Sequence, residues 1–160
     1  MTIQVDVQNA CDDDTAPDNT VIASWIVRAV DASGVLDVSE VSVRVVSAEE
    51  IHALNKQYRG KDKPTNVLSF PAGKVSGLPA DIPVVLGDIV ICASVVHDEA
   101  AAQRKVLEDH WAHMLVHGTL HLLGFDHESD SEAAAMEALE TTILTDHGLT
   151  DPYRVAGENC

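Results

Sequence analysis

"HGTLHLLGFDH", residues 117–127, places three histidines within eleven positions. His117 and His121 are four apart, which on an α-helix sets both rings on one face, one turn apart. Gly124 follows three residues later and suits a helix end, because glycine takes left-handed dihedrals without a Cβ penalty. A turn there returns His127 to the same point. The stretch reads as a helix folded back over a metal ion. His117, His121 and His127 supply three neutral nitrogens and leave a tetrahedral ion one open position, the arrangement of a catalytic rather than a closed structural site. His113 also lies four residues before His117. A straight stripe of three would separate its outer rings by about 12 Å at the helical rise. His113 is therefore assigned to support behind the ligands or to the core, and Asp126 to orienting a ligand imidazole, as carboxylates around metal-bound histidines do.

Outward from this stretch the chain alternates strand and helix signals. "TIQVDVQN" has the two-residue period of a half-buried strand, and a helix follows over roughly 18–32, ended by Ser33-Gly34. "VSEVSVRVV" (38–46) is a second alternating run. Ser47 with Glu50 forms a capping-box pattern that opens a helix through about Gln57. "YRGKDKPTN" is read as irregular, "VLSFP" (67–71) as a short strand stopped by Pro71, and "VVLGDIVICA" (84–93) as the most apolar strand. Helix resumes near Ser94, breaks around Lys105–Leu107 and continues to Gly124. A last helix runs from about Ser129 to His147, with Gly148 beyond its end. Strict βαβ alternation is missing, so the expected fold is α+β, a small mixed sheet with packed helices. A single domain over 1–160 is expected, with about 150–160 a frayed tail.

Composition narrows the function classes. The chain has 160 residues, 46% of them hydrophobic and 22% charged, as in ordinary globular proteins. No apolar run is long enough to span a bilayer, and no secretory signal pattern opens the chain, so a cytoplasmic location is expected. Cys11, Cys92 and Cys160 are far apart and odd in number, which argues against a disulfide framework or a cysteine zinc site. A formal charge of −16 would discourage a nucleic-acid partner, but the ten basic residues are unevenly spread. Lys56, Arg59, Lys61 and Lys63 cluster together, with Asp62 the only acid among them, and Lys74 follows. One basic segment on an acidic protein focuses an anionic substrate there while the rest repels it.

The spacing H-x3-H-x5-H also occurs in zinc proteases, but those carry glutamate directly after the first histidine as general base. Here that position is Gly118, which cannot accept a proton.

"HGTLHLLGFDH" resembles the signature H-G-x-L-H-L-x-G-[YF]-D-H of the YbeY family of bacterial metal-dependent endoribonucleases. "YRGKDKPTNVLSFP" (58–71) and "LGDIVIC" (86–92) agree with that family in order and separation. The resemblance covers the central two-thirds of the chain. It implies a zincin-like α+β fold with one Zn(2+) per chain, held by His117, His121 and His127. It further implies single-strand-specific RNA cleavage in maturation of small-subunit ribosomal RNA, especially its 3′ end, and in ribosome quality control. The family's invariant arginine falls on Arg59.

These readings join in one chemical expectation. A zinc-bound water, acidified toward neutrality, serves as nucleophile or as base on the ribose 2′-hydroxyl. Arg59 grips the phosphate, because guanidinium is always charged and matches two phosphate oxygens at once. Lys56, Lys61 and Lys63 follow the backbone as point charges, and Phe70 is a candidate for stacking a base or, equally, for core packing. Asp88 is expected to be buried on backbone amides, and Glu99 is a further carboxylate candidate behind the ligands. Trp25 and Trp111 are read as core. The expected partners are ribosomal RNA and the small subunit, with a protein partner aiding recruitment of so acidic a chain, and no membrane. Two alternatives stand beside the nuclease: a metallohydrolase of another substrate such as peptides, and a non-enzymatic assembly factor stabilised by its metal.

Overall fold

The computed structural model describes residues 3–11, 13–34, 40–72, 85–125, 129–149 and 152. Among them, four strands form one mixed sheet, flanked by five helices. The elements run β1 (Gln4–Asn9), α1 (Asn19–Ser33), β2 (Glu40–Val46), α2 (Ala48–Arg59), β3 (Val67–Pro71), β4 (Val85–Cys92), α3 (Ala93–Ala102), α4 (Leu107–Leu122) and α5 (Asp130–Asp146). The sheet order is β1-β2-β4-β3. The pairs β1/β2 and β2/β4 are parallel, whereas β3 lies antiparallel to β4 and forms an edge. The α+β expectation holds. So does the break between α3 and α4, where Arg104 takes a left-handed φ of 55°.

The two faces of the sheet separate two cores. Val41, Val43, Val45, Ile89 and Ile91 turn inward against α1 and α4, joining Trp25, Ile26, Trp111 and Leu115. Both tryptophans are buried, as read from sequence. Val46, Leu68, Val90 and Cys92 turn to the other face, where Ile51 of α2 covers them. Each Ile or Leu buried in these cores contributes about 1.5–3 kcal/mol of transfer free energy.

Helix α4 is buried nearly all round, from His110 through Leu122, because it packs on the sheet and on α1, α3 and α5 at once. It approaches the sheet closely at Gly118. A Cβ there would lie 3.2–3.3 Å from Val67 Cγ2, Ile89 Cγ2 and Ser69 Oγ.

Two local readings are corrected. Helix α2 continues through Tyr58 and Arg59 rather than stopping at Gln57. It ends in a left-handed cap: Gly60 takes φ 70°, its N–H donates to Lys56 O, and Lys61 N–H donates to Asn55 O. Asp88 is exposed, not buried. It falls on the outer face of β4 in alternation with Ile89, where it lines a cavity with Leu54 and Tyr58 of α2. The proposed tail lies largely outside the described residues.

Candidate metal centre

The inward face of α4 carries a column of histidines, His110, His113, His117 and His121. Neighbouring rings along it lie edge to face, with centroids 6.3, 6.2 and 4.6 Å apart. The last pair is the closest, and His121 Nε2 lies 3.1 Å from His117 Nε2. Two nitrogens bound to one tetrahedral zinc at about 2.0–2.1 Å would be separated by about 3.3 Å. The pair therefore fits a shared ion with a shift of a few tenths of an ångström. Asp126 and His127 lie outside the described residues.

Behind the pair stands Glu140 of α5, a carboxylate with no exposed surface. Its Oε1 is 2.6 Å from His117 Nδ1 and its Oε2 is 2.9 Å from His113 Nε2. An ionised carboxylate only accepts, so both imidazoles donate to it. Donation from Nδ1 leaves the Nε2 lone pair of His117 turned toward His121, the orientation a metal needs. Burial lowers the pKa of His113, and the Glu140 carboxylate opposes that shift without overcoming it. His113, His117 and Glu140 also offer ligand atoms within 4.8 Å of one another, close enough to hold an ion. Sequence reasoning missed Glu140. It is the eleventh of seventeen residues in α5, and nothing local distinguishes it from the other acids of that helix.

The basic loop reaches the same place. Arg59, Lys61, Lys63, Thr65, Asn66 and Ser69 join His117 and His121 around a cavity of about 260 Å³. Among the described residues, no carboxylate lies within ion-pair distance of Arg59, Lys61 or Lys63. Lys56 instead points to Asp62, at 4.0 Å, and does not line the cavity. Two buried or half-buried asparagines hold the loop. Asn55 Nδ2 donates to Lys63 O at 2.8 Å. Asn66 Nδ2 donates to Glu99 Oε1 at 3.1 Å, and Asn66 Oδ1 accepts from Val67 N–H at 2.7 Å. Glu99 also pairs with buried His110 at 3.0 Å. Burial alone would raise the Glu99 carboxyl, but hydrogen bonds from His110 and Asn66 outweigh it and hold the group below its usual value.

Phe70 sits elsewhere. Strand alternation turns it to the outer face of the sheet, where it meets exposed Tyr58 edge to face at 5.3 Å. Together they line a separate cavity of about 680 Å³ with Arg44 and Asp88. Ser69, its neighbour, takes the place on the histidine side.

Comparison with known proteins bears on the family and the fold. The family model described as Endoribonuclease YbeY matches residues 6–148. The Endoribonuclease YbeY of Halorhodospira halophila is 51% identical over 140 residues, covering 88% of this chain and 90% of that one. A Thermotoga maritima protein solved in solution shares the fold at a TM-score of 0.57 and 24% identity, covering 94% of this chain and 99% of its own. The histidine column, the basic loop beside it and these matches lead to one assignment: the chain belongs to the YbeY endoribonuclease family.

Proposed function

We propose that this protein is a zinc-dependent, single-strand-specific endoribonuclease acting on ribosomal RNA, in small-subunit 3′-end maturation and ribosome quality control. One observation carries the reading: a His117–His121 pair with converging Nε2 atoms shares its cavity with Arg59, Lys61 and Lys63. Nitrogen donors beside cations free of carboxylate partners, among the described residues, suit a metal acting on a phosphodiester. A peptide substrate has no use for those cations. Gly118 adds to this, since the close approach of α4 to Val67, Ser69 and Ile89 leaves no room for a protease's glutamate at that position.

In this reading His117, His121 and His127 hold the zinc, with Glu140 bracing His117 through Nδ1 and His113 completing the carboxylate's hydrogen bonds. When bound, zinc supplies an acidified water and a Lewis acid for the phosphate. Arg59 holds two non-bridging oxygens in its planar fork, and Lys61 and Lys63 place the flanking phosphates. Asn55 keeps Lys63 in position. The cavity is small for a ligand pocket, which suits one phosphodiester unit with its neighbours splayed away, as in a single strand. Ribosomal RNA as substrate, the small subunit as platform and a recruiting protein partner follow from the family resemblance and the acidic charge. Among the described residues no helix is long and apolar enough to cross a membrane.

The test uses protein purified without a metal-affinity tag. Bound zinc is measured first, and wild type, Arg59→Glu and His117→Ala are then incubated with a single-stranded ribosomal RNA fragment. The expected result is about one zinc per chain in wild type and in Arg59→Glu, with cleavage by wild type alone. Zinc in wild type with no cleavage by any of the three, even on small subunits, would overturn the nuclease reading in favour of an assembly factor.

A further inference from the structure

The free edge of β3 faces the cavity, and its outward main-chain N–H donors are almost all spent. The β3/β4 register runs from Val67–Ile91 to Pro71–Gly87, and just beyond its two ends Cys92 N–H donates to Asn66 O and Ala72 N–H donates to Leu86 O. In an antiparallel pair such hydrogen-bonded positions alternate with positions whose N–H and C=O point away. Leu68 and Phe70 therefore bond to β4, while Val67, Ser69 and Pro71 present their main chain to the outside. Of these three, Val67 N–H is taken by Asn66 Oδ1 at 2.7 Å. Pro71 has no N–H at all. One donor remains: the main-chain N–H of Ser69, which has no partner among the described residues.

The Ser69 side chain is occupied separately. Its hydroxyl donates to Gly118 O at 2.9 Å and ties the strand to α4, and the residue lines the same cavity as Arg59, His117 and His121. A lone N–H between two positions without a free donor is a poor template for a partner strand, which needs donors at alternate residues. It suits a single anionic oxygen. We infer that the main-chain N–H of Ser69 binds a non-bridging oxygen of the RNA phosphate opposite Arg59, and that the blocked edge excludes extended peptides from the site. This rests on the proposed nuclease function and adds a neutral, fixed donor to its charged ones. Such a donor is organised by the sheet before substrate arrives and needs no reorganisation as charge develops on the oxygen.

The test combines two variants with a titration of the wild-type zinc protein. Ser69→Ala removes the hydroxyl but keeps the N–H. Ser69→Pro removes both, and Pro71 shows that this edge accepts proline two residues away. Ser69→Ala is the reference, since both variants lose the bond to Gly118 O and only Ser69→Pro also loses the N–H. The kcat of Ser69→Pro should fall about 10²–10³-fold below that of Ser69→Ala at equal zinc content, as for loss of an oxyanion donor elsewhere. In ¹H–¹⁵N spectra of the wild type, inorganic phosphate should move the Ser69 amide downfield and adenosine should not. Equal cleavage by the two variants would overturn the inference. So would a Ser69 amide that stays still while Arg59 Nε–H responds, and this outcome leaves the nuclease function standing. Should Ser69→Pro fail to fold, the titration alone decides. Absence of RNA cleavage by wild type would instead strike the function, with the phosphate titration still deciding whether Ser69 is a donor.

Discussion

Glu140 concentrates the chemistry of α5 in one carboxylate. Burying it fully would cost several kcal/mol if it stood alone, and two imidazole N–H groups offset that cost. The same bonds set the tautomer of His117. Glu140→Gln keeps the shape but loses the charge and one acceptor, so zinc affinity should fall about 10–100-fold in a chelator competition. Unchanged affinity would mean the carboxylate is only packing. Gly118 matters for the opposite reason, because it must stay small. Contacts of 3.2–3.3 Å to a Cβ leave Gly118→Ala a mild change, whereas Gly118→Glu forces a charged side chain between α4 and the sheet. The glutamate variant should lose more than about 3 kcal/mol in urea unfolding and gain no peptidase activity.

At the level of elements, the site is a junction where α2, β3, α3, α4 and α5 each contribute a residue. The left-handed end of α2 puts Arg59 on its last turn, and Lys61 and Lys63 beyond it line the cavity with His117 and His121 of α4. Glu99 of α3 then ties β3, through Asn66, to His110 of α4. Its carboxyl pKa is lowered on folding, so the unfolded chain binds a proton first as pH falls. The contribution is fully present above the ordinary carboxyl value of 4.5 and disappears as pH drops through the lower folded value. Wild type should therefore lose stability across that acid window, and Glu99→Gln should show a flatter profile there. The midpoint of urea unfolding between pH 3 and pH 6 reads the difference, and parallel profiles would refute it.

Across the whole molecule, charge is divided between an acidic body and one cationic corner. With 26 acidic and 10 basic residues, most of the surface repels RNA, and binding depends on the few cations in the cavity. Arg59, Lys61 and Lys63 should each displace a counterion from a single strand, giving a slope of log affinity against log salt of about −2. Arg59→Gln should flatten that slope by about 0.7, and an unaltered slope would place the RNA elsewhere. Much of this design is written in short-range patterns. The i, i+4 histidines, the glycine at the end of α4, the basic segment at 56–63, the capping serine at 47 and the alternating strands all act within a turn or a few residues. Periodicity and spacing express such features directly. The partners that come from far along the chain are not written so. Glu140 meets His117 across 23 residues and resembles its acidic neighbours until packing buries it, while Glu99, legible as a candidate, meets a partner 33 residues away in Asn66 that no local pattern names. Phe70 and Ser69 differ by one position, yet the pleat and the choice of face send the first to Tyr58 and the second to the histidines. Residue type and local period fix which chemistry the chain can carry. The order of strands and the close crossing of α4 over β3 decide which groups meet, because burial and hydrogen bonding between distant segments exist only once the sheet has formed.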